Sequence, residues 1–145
     1  TRKKEAWIQR VLAIVGYDRW YIVVDSDELL DYIGSANHSI CVIIDRCETE
    51  GDTRIWGYMV DMYSQGALFS QSPEDNLYTD YYRYFDKSGY VLRNYDSNNK
   101  NGLYDRVCGG PRNRVFNQSM VLSKQAVFFF EENMIYRNCH YLHNV

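Results

Sequence analysis

The chain lacks four things that would each have pointed to a function. It has no excess of basic charge: the formal net charge is -3, which argues against a general nucleic-acid binder. It has no apolar run near the roughly 20 residues that span a bilayer, so no transmembrane segment is expected, and its first residues show no signal-peptide pattern. It has no CxxC pair among Cys41, Cys47, Cys108 and Cys139, and only three histidines, so a zinc site is not expected. Reduced cysteines in a cytoplasmic protein, at most peripheral to a membrane, are the expectation that goes with these deficits. No internal repeat and no linker composition interrupts the 145 residues, a length that suits one domain with a real core.

What is present begins with aromatic residues. There are 14 tyrosines, nine of them from Tyr78 onward among Asn, Asp, Ser and Arg. A flat apolar face with one polar handle suits a recognition surface or a wet interface. Tyr78, Tyr81, Tyr82 and Tyr84 are therefore candidates to stack on a flat ligand face, with core or interface packing as the plainer reading.

The organising stretch is Trp20-Tyr21-Ile22-Val23-Val24-Asp25-Ser26-Asp27-Glu28. An unbroken apolar run with polar flanks reads as a strand buried on both faces, as in a parallel sheet. Ligands gather at the carboxyl ends of such strands. Asp25 and Asp27, one residue apart on extended backbone, would leave on the same side. Paired oxygen donors suit Mg²⁺ or Mn²⁺ bridged to phosphate; the plainer reading is a solvated acidic turn. An EF-hand loop is excluded because Leu29 and Leu30 stand where a third Asp or Asn and the Gly belong. The aspartyl-phosphatase pattern DxDx[TV] is weakened by Leu29.

Around that stretch, Arg2 to Val15 carries a helical stripe at Trp7, Val11, Ile14 and Val15, with Gly16 as its cap. Cations crowd its first turn against the dipole, and the expectation is that the natural helix, or an upstream segment, begins earlier. Ile40 to Glu50 reads as helix stopped by Gly51, and Arg54 to Tyr63 as strand. Ser72 to Asp75 reads as a turn, Tyr81 to Phe85 as a short strand, Asn94 to Gly102 as a loop, and Lys124 to Phe130 as strand. Lys124 itself reads as a surface residue. A Gly109-Gly110 turn leads to Arg112 and Arg114, whose planar forks suit phosphate or, equally, a solvated strand edge.

The segment from Trp20 to Leu30 resembles the W-hydrophobic-DxDE-hydrophobic motif of family 2-like glycosyltransferases with a GT-A fold. Met59 to Tyr63, Gly109 to Phe116, Leu122 to Lys124 and His140 to Leu142 resemble later pieces of that group, in order, over most of the chain. The Rossmann-like βαβ unit that opens such enzymes has no counterpart here. The resemblance implies an α/β protein: a partial GT-A mixed sheet with flanking helices, with 1–145 a single domain from the C-terminal portion of the catalytic domain. It implies a nucleotide-sugar donor and a glycan, lipid-linked or protein-linked acceptor, with Mn²⁺ or Mg²⁺ held by Asp25, Asp27 and His140. Glu28 would orient the metal or ribose beside Asp25, Arg112 and Arg114 would face the diphosphate, and Asp61 would be the base of an inverting transfer. The alternatives are a non-catalytic carbohydrate- or nucleotide-sugar-binding module and a metal-dependent phosphohydrolase.

Overall fold

The computed structural model describes residues 2–65, 81–95, 104–138 and 141–144. In chain order these form α1 (Arg2–Val15), β1 (Arg19–Ile22), α2 (Cys41–Glu50), β2 (Arg54–Tyr58), β3 (Tyr90–Tyr95), β4 (Tyr104–Gly109), α3 (Pro111–Phe116), β5 (Ser123–Phe130), β6 (Met134–Asn138) and β7 (Tyr141–Asn144). Helices are combined with antiparallel sheets, an α/β composition in the broad sense. The chain divides into two compact units: 1–57 with 124–145, and 58–123.

In the first unit, both helix ends expected at glycine are found. Gly16 sits at φ 123, a conformation that disfavours a side chain, and its N–H closes on the Leu12 carbonyl at 2.9 Å. Gly51 at φ 76 ends α2. The three-stranded sheet runs β1-β5-β2. β1 is antiparallel to β5, with Arg19 opposite Phe130 and Ile22 opposite Val127. The core joins Leu12 of α1, Phe128 and Phe130 of β5, Met134 and Tyr136 of β6, and Leu142 of β7. Polar side chains complete the backbone around it. The Gln9 amide oxygen accepts the Tyr136 N–H at 2.6 Å, and that of Gln125 accepts the Leu142 N–H at 2.9 Å.

The parallel, doubly buried strand expected over Trp20 to Val24 is not what forms. β1 lies at the edge of its sheet among the described residues, and Ile22 and Val24 are 46% and 41% exposed. The strand buried on both faces is β5, where Phe128 and Phe130 supply the bulk.

The second unit is built on the β3–β4 hairpin, registered from Tyr90–Gly109 to Tyr95–Tyr104. β4 ends where Gly109, at φ 118, passes so near the Gly89 carbonyl that a Cβ would stand 2.2 Å from its oxygen. Here glycine is a steric requirement. Arg112 and Arg114 then fall on a short helix, not on a strand edge. Of the strand expected over Tyr81 to Phe85, only a single bridge from Tyr84 to Tyr63 forms. Asn94 and Tyr95 close β3, and the rest of the expected loop, like Ser72 to Asp75, lies outside the described residues.

Candidate functional site

The acidic segment leaves β1 and turns at Ser26-Asp27. The alternation that would put Asp25 and Asp27 on one side of extended backbone therefore does not apply. The turn closes on itself: the Glu28 N–H donates to the Asp25 carbonyl at 3.0 Å, and the Asp25 N–H donates to Glu28 Oε2 at 2.9 Å. Two lysines from other elements then meet the carboxylates. Lys124 of β5 is 4% exposed, which overturns its reading as a surface residue. Its ammonium hydrogen-bonds Glu28 Oε2 and lies 3.9 Å from Asp25 Oδ2. Lys4 of α1 pairs with Asp25 Oδ1. A charge buried this deeply persists only when paired. Asp27 is exposed and makes no hydrogen bond or ion pair among the described residues.

The turn borders a groove of ≈ 630 Å³ between α1 and β1. Trp7, Val11, Tyr21 and Val23 form its apolar walls, with Lys4, Asp25 and Asp27 at one end. The groove is an open, mainly apolar depression on the surface and not an enclosed cavity. No group of three or more His, Cys, Asp or Glu side chains gathers as a metal cage among the described residues. His140 lies outside them. A Mg²⁺-like ion does not need a cage, since it commonly takes one or two carboxylates and completes its shell with water and substrate phosphate. Asp27 fits that mode directly, and Asp25 fits it once Lys4 is displaced.

The second unit holds Asp61, Arg112 and Arg114. Arg112 grips Asp61 with both prongs, Nε to Oδ2 at 2.8 Å and Nη2 to Oδ1, while its Nη1 lies 3.2 Å from the Met120 sulfur. Arg114 grips Asp86 in the same way, at 2.9 and 3.1 Å. Asp86 also accepts the Tyr63 hydroxyl at 2.8 Å. The Arg114 fork, and after it the Tyr63 hydroxyl, hold the Asp86 carboxyl below its ordinary range. Donation to Asp86 pushes the Tyr63 phenol up. Tyr84 stacks on Tyr63 with centroids 6.5 Å apart, and Tyr81 meets Tyr82 edge-on at 4.8 Å. The proposed stacking residue Tyr78 lies outside the described residues.

Of the residues singled out from sequence, Asp25, Asp27 and Glu28 share one turn, while Asp61, Arg112 and Arg114 belong to the other unit. Sequence reasoning missed Lys4, Lys124, Asp86 and Tyr63. Lys124 had a signal: a lysine leading an apolar β-strand needs a carboxylate to meet it. No family model, curated protein or solved structure matches the chain.

Proposed function

We propose that the chain is the metal- and acceptor-bearing part of a nucleotide-sugar-dependent glycosyltransferase of the family 2-like, GT-A type. One observation carries this reading: a lysine-braced acidic turn opens on a groove and leaves Asp27 exposed and, among the described residues, without a hydrogen bond or ion pair. Asp27, with Asp25 once Lys4 has let go, would hold Mn²⁺ or Mg²⁺ against the donor diphosphate. The cation would offset charge that builds on the leaving diphosphate. Glu28, fixed by Lys124, keeps the turn closed.

In an inverting transfer the acceptor oxygen bonds to the anomeric carbon. The bond to the diphosphate breaks, the nucleoside diphosphate leaves, and the acceptor proton passes to a base. Asp61 is the base the resemblance implies; it would have to turn one oxygen from Arg112 to the hydroxyl. Because Arg112 engages both Asp61 oxygens, a binding module without transfer chemistry is the second reading.

The test is a thermal shift of the full chain with Mn²⁺ and uridine or guanosine diphosphate. Stabilisation that needs both the cation and the nucleotide, and is lost in Asp27→Ala, is expected. No shift with either nucleotide would sink the proposal. Asp61→Asn separates the two readings: retained donor binding with lost sugar transfer supports catalysis, whereas chelator-insensitive sugar binding without transfer supports the module.

A further inference from the structure

Two lysines brace the acidic turn, and they differ in how firmly each is held. The Lys124 side chain is 5% exposed and stands in the middle strand of its sheet. Withdrawn from Glu28, it would leave a buried charge without its carboxylate, so it stays. The Lys4 side chain is 59% exposed and reaches Asp25 Oδ1 from the first turn of α1. An ion pair this exposed contributes little, and the helix dipole disfavours a cation at that end. Lys4 is therefore the exchangeable member of the pair. The two Asp25 oxygens are divided accordingly: Oδ2 faces the fixed Lys124 at 3.9 Å, and Oδ1 holds Lys4. The charges point the same way. Asp25, Asp27 and Glu28 against Lys4 and Lys124 leave one negative charge in excess. A divalent cation reverses that sign, and the positive charge least firmly held is the one it expels. The Lys4 stem is anchored in α1, so a displaced ammonium remains at the end of the groove that it shares with Asp25 and Asp27.

Resting on the reading of Asp25 and Asp27 as metal ligands, we infer that Lys4 is a donor-binding residue that first holds the metal's place. It neutralises Asp25 when no metal is bound, yields Oδ1 to Mn²⁺ or Mg²⁺, and then pairs with the diphosphate that follows. A nucleoside diphosphate carries more negative charge than one divalent cation offsets. An ammonium on a flexible stem serves phosphate as a point charge and needs no fixed geometry to do so. Lys4 thus opposes the metal on its own and supports the nucleotide once the metal is in place. Two opposite effects of one charge separate this role from that of a plain surface lysine, which would move both affinities little.

Isothermal titration calorimetry of the full chain tests this, with Mn²⁺ alone and then with uridine or guanosine diphosphate at saturating Mn²⁺. Lys4→Gln is compared with Lys3→Gln, which removes the same charge from the exposed neighbouring position. Lys4→Gln is expected to tighten Mn²⁺ about threefold or more and to weaken the nucleotide about fivefold or more. Lys3→Gln should change neither by more than about twofold. Both sites are exposed, and unchanged circular dichroism shows that the fold is kept. Acetylation of the unaltered chain, followed by mass spectrometry, reads the exchange directly. Lys4 should label faster with Mn²⁺ than without it and slow again when the nucleotide is added, while Lys3 keeps its rate. Affinities that move in the same direction, changes no larger than those of Lys3→Gln, or a Lys4 labelling rate indifferent to Mn²⁺ overturn the inference. If Asp27→Ala still abolishes Mn²⁺-dependent nucleotide binding, the metal reading survives that result. Absence of Mn²⁺ binding in both the unaltered chain and Lys4→Gln overturns the two together.

Discussion

A lysine in the middle strand of a sheet, 4% exposed, is held there by carboxylates. Lys124→Met keeps the length of the side chain and removes its charge. Glu28 and Asp25 then lose their shared ammonium while remaining partly buried. Breaking a buried pair costs more than the pair is worth, and partial exposure of the acids softens the loss to about 2 kcal/mol. Urea denaturation of the variant measures it; no loss would mean that the turn is held by its backbone alone. Asp86 makes a different prediction. Its folded-state pKa is lowered, first by Arg114 and then by Tyr63. The stabilisation is therefore present above the unfolded carboxylate value and is lost as pH falls through the folded one. Tyr63 is shifted up. Its share is present below the ordinary phenol value and is lost as pH rises through the folded value. Asp86→Asn should flatten the acid limb of a stability-against-pH curve, and Tyr63→Phe the alkaline limb.

At the scale of the element, α1 presents two apolar stripes, one in the core and one exposed. Leu12 is 3% exposed in the core, whereas Ile14 is 74% exposed. Leu12→Ala should cost about 3 kcal/mol, and Ile14→Ala less than about 0.5 kcal/mol. Chemical denaturation distinguishes them. Helices and their ends were legible in the sequence because periodicity and a capping glycine act within a few residues: α1 with Gly16, α2 with Gly51. β5 was legible as a strand from its own composition. The standing of β1 was not. Five apolar residues in a row look the same whether a strand is central or at an edge, because what covers a strand comes from elsewhere in the chain. The acidic turn could be located, but not its lysines, since Lys124 is 96 residues from Glu28. The Asp61–Arg112 pair spans 51 residues and was hidden for the same reason. The β3–β4 hairpin went unread because its strands mix Arg, Asn and Asp with apolar residues, which blurs the period of two.

At the scale of the whole molecule, the first unit is assembled from both ends of the chain. β2 leaves it and β5 returns to it as hydrogen-bonded neighbours: the Phe129 N–H meets the Thr53 carbonyl at 2.8 Å. Chain ends that lie side by side allow an intervening segment to be exchanged. Replacing residues 58–123 with a short hairpin turn should leave a chain that unfolds cooperatively and keeps the near-ultraviolet signal of the buried aromatic cluster. A molten product, with secondary structure but no such signal, would show that the first unit depends on the second.

The tryptophans are confined to one unit, which affects how any of this is measured. Trp7, Trp20 and Trp56 all fall in 1–57, and the second unit has only tyrosine and phenylalanine as fluorophores. The Trp20 indole donates to Glu48 and meets Phe129 edge-on, so its emission reports the packing of α2 on the sheet. Red-edge excitation thus follows one unit, while the amide bands follow both. Melting curves that superimpose in the two signals make the chain one cooperative system; curves that separate give each unit its own transition and its own free energy.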